Sequence, residues 1–157
     1  MGPRGRSATW YRPYAAGLSV VLVLGLFVAT ATGEERVGRR RQMLALTNFD
    51  RGQHDRGDLA FAEMLSRYAK EHSQAMADEG YLFHSTEDEL RRALEPYEWS
   101  LGGENVGVGG SLETLEEAFM ASDAHRQNIL RRIYDNAAVG VVRDDDGRFW
   151  VTVIFYG

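Results

Sequence analysis

Apolar and polar positions change their spacing three times along the chain. An uncharged run extends from Ala15 to Thr32, densest in Leu and Val between Leu18 and Val28. Beyond it, apolar residues recur at helical spacing. Met43, Leu44 and Leu46 predict a helix over Val37–Phe49, followed by a polar loop from Arg51 to Asp58. Asp58 stands where an N-cap belongs. Phe61, Leu65, Tyr68, His72 and Met76 then recur at intervals of three and four, which predicts a helix of about five turns closed by Gly80. Thr86 with Glu89 reads as a capping box opening a short helix to Leu94, stopped by Pro96. Thr114 with Glu117 reads as a second box, opening a helix whose apolar face includes Leu115, Ala118 and Phe119.

Near the C-terminus the period shortens to two. Val139–Arg143 and Arg148–Tyr156 flank Asp144-Asp145-Asp146-Gly147, the pattern of a hairpin. Phe149, Val151, Val153 and Phe155 share one face of the last strand, and Trp150, Thr152, Ile154 and Tyr156 share the other. Both faces are apolar, so this strand should be central and covered on both sides. Helices first and strands last give an α+β domain, with helices flanking a small antiparallel sheet.

Charge gives the first run a meaning. Arg4, Arg6 and Arg12 precede it, and Ala29-Thr30-Ala31 supplies a small-x-small exit, so residues 1–31 read as a secretory signal peptide. The run is also long enough to remain as an uncleaved membrane tether through residues 15–32. Either way the domain, residues 38–157, is expected to be secreted or at least extracytoplasmic. The first 31 residues hold three arginines and no acid, leaving fifteen basic residues against 23 acidic ones in the rest. So acidic a domain repels phosphate backbones, which excludes nucleic acid as a partner. The chain has no cysteine, and hence no disulfide, thiolate metal site or cysteine nucleophile.

Four histidines remain as candidates for chemistry. His54 lies in the polar loop and reads as solvated. His72, on the apolar face of the long helix, reads as a hydrogen-bonded core residue. His84 sits in a turn just before a helix cap, and His125 follows the helix Leu115–Ala121. Between them in sequence, Glu104 opens an apolar strand-like run, where a carboxylate needs a partner to offset its desolvation. Two imidazoles and one carboxylate, if they converge, make a divalent-metal or acid/base constellation. Spacing alone leaves convergence open. The glycines around them read as close packing and tight turns, since no lysine follows to complete a phosphate loop.

The ordered set of motifs resembles the CAP superfamily of cysteine-rich secretory, antigen 5 and pathogenesis-related proteins, in its bacterial SCP-domain form. Asn48 and Arg51 match its Asn-x-x-Arg. Leu59, Leu65, Ala69, His72, Ser73 and Met76 match its second helix, and Leu82-x-His84-Ser85 its first histidine segment. Gly103-Glu104-Asn105-Val106 matches its Gly-Glu-Asn motif. Ser122-x-x-His125-Arg126-x-Asn128-Ile129-Leu130 matches its second histidine segment, and the closing hairpin also agrees. The resemblance implies an α-β-α sandwich in which His84 and His125 face each other across a cleft lined by Glu104, Asn105 and Ser122. Many members carry a second glutamate where Ser122 stands, and a tryptophan where Phe119 stands. Glu116 and Glu117, earlier on that helix, read as solvated rather than as substitutes. With one carboxylate missing, the resemblance implies a non-catalytic extracellular binding or signalling domain. Its cleft would hold zinc through His84 and His125, and its partner would be an extracellular protein or a lipid. The alternative is a metal-dependent, protease-like hydrolase with Glu104 as general base.

Overall fold

The computed structural model describes residues 38–157. The expected signal or tether lies outside them. Among the described residues no helix is long and apolar enough to cross a membrane.

A helix α1 covers 38–53. Then follow β1 (Ala60–Phe61), α2 (Leu65–Glu79), α3 (Glu87–Leu94), β2 (Gly102–Gly109), α4 (Leu112–Ala121), α5 (Asp123–Ile129), β3 (Asn136–Arg143) and β4 (Phe149–Tyr156). The four strands form one sheet in the order β1-β3-β4-β2. The β3–β4 hairpin and the β2–β4 pair are antiparallel, while β1 adds two residues parallel to β3. The sheet is therefore mixed at one edge.

Period-two alternation on β4 builds the three layers. Val151, Val153 and Phe155 pack with Met43, Leu44, Leu115, Phe119 and Ile129, which places α1, α4 and α5 on one face. Ile154 and Tyr156 pack with Leu65, Ala69 and Leu94 on the other, beneath α2 and α3. Trp150 joins Met76 and Val106 on that second face. With both faces covered, β4 is buried almost throughout. The α-β-α sandwich is thus present, with its apolar strand in the middle.

Helix α2 begins at Leu65, so Asp58 is not its cap and Phe61 is not on its face. Long-range hydrogen bonding takes those residues instead. Asn48 grips the backbone of Leu59 on both sides: its Nδ2 donates to the carbonyl at 3.1 Å and its Oδ1 accepts from the N–H at 2.9 Å. The next residues then pair with β3, Ala60 N–H donating to Asp135 O and Ala62 N–H to Ala137 O. Because β1 ends after two residues, the Val139 N–H on the same edge of β3 finds no strand partner and donates to Ser66 Oγ, 3.0 Å. The helix lies directly on the sheet, since a Cβ at Gly140 would collide with the Ala69 carbonyl. Ser73 Oγ completes the attachment by donating to Thr152 Oγ1 at 2.9 Å.

The local end signals fare unevenly. Gly80 closes α2 in the left-handed conformation at φ 76°. Thr86 and Glu89 form the expected capping box. Thr114, however, lies within α4: Ser111 is the cap and accepts from Thr114 N–H. Asp144–Gly147 is a turn, held by Asp144, whose Oδ2 accepts from Trp150 Nε1 at 2.8 Å.

Arg51 changes the picture of the segment expected to be a polar loop. It lies on the last turn of α1 and is 2% exposed. Its guanidinium donates to the carbonyls of Gly57 (2.8 Å), Ile129 (2.7 Å), Arg131 (3.2 Å) and Tyr134 (3.0 Å). Replacing Arg51 with Met should lower the unfolding free energy by about 3–5 kcal/mol, because these carbonyls lose their only common donor. Phe49→Ala, at an exposed position two residues earlier, should change it by less than about 0.5 kcal/mol. Urea denaturation of the two variants checks the contrast, and equal losses would overturn it.

Candidate functional site

The site is organised by alternation along the edge strand β2. Val106 packs with Met76 and Trp150 beneath α2, and Glu104, two residues earlier, points to the same face. Asn105, Gly107 and Gly109 face the other way. A Cβ at Gly107 would press on Phe119 at 2.9 Å, so α4 lies against bare backbone there. The adjacent pair Glu104-Asn105 therefore reaches into both layers at once.

On the first face, the Glu104 carboxylate is almost fully engaged. Oε1 lies 2.8 Å from His84 Nδ1 and accepts from Ser85 N–H at 2.9 Å. Oε2 accepts from Ser85 Oγ at 2.6 Å. Tyr68 on α2 donates its hydroxyl to Ser85 Oγ at 3.0 Å, extending the chain. Burial raises the Tyr68 pKa and keeps that proton in place, although the bond to Ser85 opposes it. With Nδ1–H directed to the carboxylate, His84 presents Nε2 as its free lone pair. The side chain is 56% exposed, so that nitrogen is within reach of solvent.

On the second face, Asn105 is completely buried and its Nδ2 donates to the His125 carbonyl at 3.1 Å. Asn128 on α5 donates to Asn105 Oδ1 (2.9 Å) and to the Glu104 carbonyl (3.2 Å). Its Oδ1 and the Tyr134 hydroxyl crowd Gly103, where a Cβ would meet them at 2.8 and 2.6 Å. His125 itself packs edge-on against Phe119, ring centroids 5.0 Å apart. Burial lowers its pKa, and the charge of His84 lowers it further. Ser122 sits at the extended junction of α4 and α5, where its carbonyl accepts from Arg126 N–H at 2.8 Å. Its side chain caps neither helix.

The anticipated residues thus divide by task. His84 and His125 offer nitrogens, Glu104 orients His84, Asn105 fixes the backbone of His125, and Ser122 turns the chain. Among the described residues no three His, Cys, Asp or Glu side chains form a metal-holding group. The Glu104 carboxylate already accepts three hydrogen bonds, from His84 and Ser85. His84 and His125 are the residues that would hold a zinc ion, with Glu104 orienting His84.

Four residues have roles other than those expected. Ser85 and Tyr68 belong to the site, and the only local signal was a hydroxyl next to His84. His54 is half-buried rather than solvated: its Nδ1 meets Asp50 O at 2.8 Å and its Nε2 meets Arg126 at 3.2 Å. Glu116, expected to be solvated, is buried against Thr47. His72 is structural as expected, though half-buried, bonding Phe83 O at 2.9 Å and stacking edge-on with that ring.

Residues 44–155 match the model of the CAP, cysteine-rich secretory protein family. The chain belongs to this family. The CAP domain is 28% identical over 116 residues to the protein YkwD of Bacillus subtilis, covering 70% of this chain and 44% of that one. Among solved structures, it resembles an extracellular protein containing an SCP domain from Bacillus anthracis. There the TM-score is 0.65 and the identity 27%, over 77% of this chain and 41% of that one. An outer surface protein of Borrelia burgdorferi shares the fold at TM-score 0.65 and 16% identity, over 74% of this chain and 90% of that one. The chain spans less than half the length of the two Bacillus proteins. Its structural relatives include proteins of the extracellular space and the cell surface.

Proximity of the two CAP-domain imidazoles has a measurable consequence. His125 should titrate below the ordinary value of about 6.5. In His84→Ala its midpoint should rise, without reaching that value, because burial remains. Imidazole nitrogen shifts followed against pH provide the measurement, and an unchanged His125 midpoint in the variant would separate the two rings.

Proposed function

We propose that this CAP domain is an exported, non-catalytic binding module whose cleft between His84 and His125 takes a divalent metal such as zinc. The observation that carries this reading is the confinement of Glu104, whose side chain is 4% exposed. A general base must have a lone pair to receive the proton of the attacking water. Three of the about four lone-pair positions of Glu104 already accept from His84 and Ser85, and the side chain that carries the remaining one is scarcely open to water. Ser122 brings no carboxylate to replace it. The rival reading, a metal-dependent hydrolase, draws on the pairing of His84 Nδ1 with a carboxylate, which fixes the tautomer of an imidazole acting as acid or base. That pairing equally orients a ligand for a metal. An extracellular protein or a lipid is the partner class this reading carries.

Neutral imidazole is the ligating form, so zinc affinity should fall with pH. The lowered pKa of His125 extends its ligating range to more acidic solution than an ordinary histidine allows. Calorimetry should show weak one-to-one binding at pH 7.5 that is at least about tenfold weaker at pH 5. The double variant His84→Ala, His125→Ala should abolish it. Equal affinity at both pH values, or binding that survives the double variant, rules the site out. Zinc-dependent cleavage of protein substrates that disappears in Glu104→Gln would favour the hydrolase.

We further propose that residues 1–31 direct export and are removed after Ala31. N-terminal sequencing of protein recovered outside the cytoplasm should begin at Thr32. Full-length protein confined to the cytoplasm would contradict both the signal and the tether readings.

A further inference from the structure

Glu116 lies on the buried face of α4, 4% exposed, between apolar neighbours Leu115 and Phe119. One carboxyl oxygen, Oε2, accepts from the Thr47 hydroxyl of α1 at 3.1 Å. The other, Oε1, is buried with no hydrogen-bond partner. A carboxylate with an unpartnered buried oxygen is far costlier than a neutral carboxylic acid in the same place. Burial, the Thr47 bond and the charge of Asp50 are what act on it. From α1, Asp50 adds a like charge. From β2, the residues against α4 are Gly107 and Gly109, which bring none. From α5, the titratable neighbour is His125, whose ring lies against Phe119. On α4 itself, the exposed Glu113 is bound by Gln42 of α1 at 2.7 Å.

Two ties therefore join α4 to α1. The outer one, Gln42–Glu113, is wet, and the inner one, Thr47–Glu116, is dry. Only the inner one changes with ionisation. One turn beyond it, Phe119 carries the edge-on contact to the His125 ring.

We propose that Glu116 is a protonation-controlled latch: as a neutral acid it seats α4 on α1, and on ionisation it admits water, loosens α4 and relaxes the contact of Phe119 with His125. Burial supports the neutral form, raising the pKa to about 7, while the bond from Thr47 opposes the rise and Asp50 adds to it. The sign follows from linkage. The folded state holds this proton more tightly than the unfolded chain, so its contribution to stability is complete below the unfolded value. It is lost as pH rises through about 7. Only the consequence for His125 rests on the metal-cleft reading, and the latch itself is tested without metal.

The experiment uses zinc-free protein between pH 5 and 9. Carboxyl carbon shifts should give Glu116 a midpoint near neutrality, and Thr47→Val should raise it by removing the opposing bond. Protection of the α4 amides, corrected for intrinsic exchange, should fall by up to roughly tenfold per pH unit between the ordinary carboxylate range and that midpoint, and level off above it. The His125 ring signals should show a second inflection at the same pH. Glu116→Gln should remove the inflection and the pH-dependent part of the protection. A Glu116 midpoint in the ordinary carboxylate range overturns the latch, as does α4 protection that follows the same course in Glu116→Gln. A normal Glu116 titration with no inflection at His125 overturns the coupling. Loss of zinc binding alone would fall on the proposed function and leave the latch standing.

Discussion

The buried guanidinium of Arg51 is the interaction on which the rest of the structure depends. It gathers carbonyls from the end of α5, the turn after it and the loop after α1. Such groups at a helix end need donors, and in the interior water is not there to supply them. Arg56 adds a donor to the carbonyl of Leu130, 2.7 Å away, so the C-terminal end of α5 is capped by arginines from one segment. A planar five-donor group suits this task, whereas an ammonium offers three donors from a single point. Burial lowers its pKa, yet the intrinsic value is high enough that it remains charged. The position of α5, and with it His125, thus rests on a residue at the end of the first helix.

A second constraint follows from the pleat of β2. Adjacent residues on a strand face opposite layers, so Glu104 and Asn105 can hold His84 and His125 without touching each other's partners. The first is fixed through its side chain, the second through its backbone. His84 consequently has a set ring orientation, whereas the ring of His125 is placed by its contact with Phe119 and by the direction α5 takes after Ser122. The glycines of β2 belong to the same arrangement. They bring α4 and Asn128 against the strand backbone, where a side chain would hold them off.

The chain has no cysteine and hence no disulfide. Rigidity comes from polar pins in the interior: Ser66 and Ser73 between α2 and the sheet, and Asn48 between α1 and β1. Each joins segments far apart in sequence and satisfies a group that the packing would otherwise strand. Beside His84, the Glu104 carboxylate holds the ring through Nδ1 and accepts two further bonds from Ser85. The buried acid of α4 stands apart from both sets. Among the described residues, it is the one buried carboxyl group with an oxygen that lacks a hydrogen-bond partner.

Much of the domain was legible in the sequence because it depends on neighbours in the chain. The two apolar faces of β4, the Thr86–Glu89 box, Gly80 as a helix end and the 144–147 turn all rest on period or local hydrogen bonding, which a few consecutive residues determine. The pairing of His84 with Glu104 across twenty residues was legible only through resemblance. Tertiary structure decided what depends on distant partners. It drew residues 58–62 out of the expected long helix, because pairing with β3 and the grip of Asn48 satisfy their backbone better than another helical turn. It buried Arg51, whose carbonyl partners lie up to 83 residues away. It committed Glu104 to Ser85, and it turned Glu116 inward. Whether a polar side chain is solvated or confined depends on which surface closes over it, and that surface comes from elsewhere in the chain.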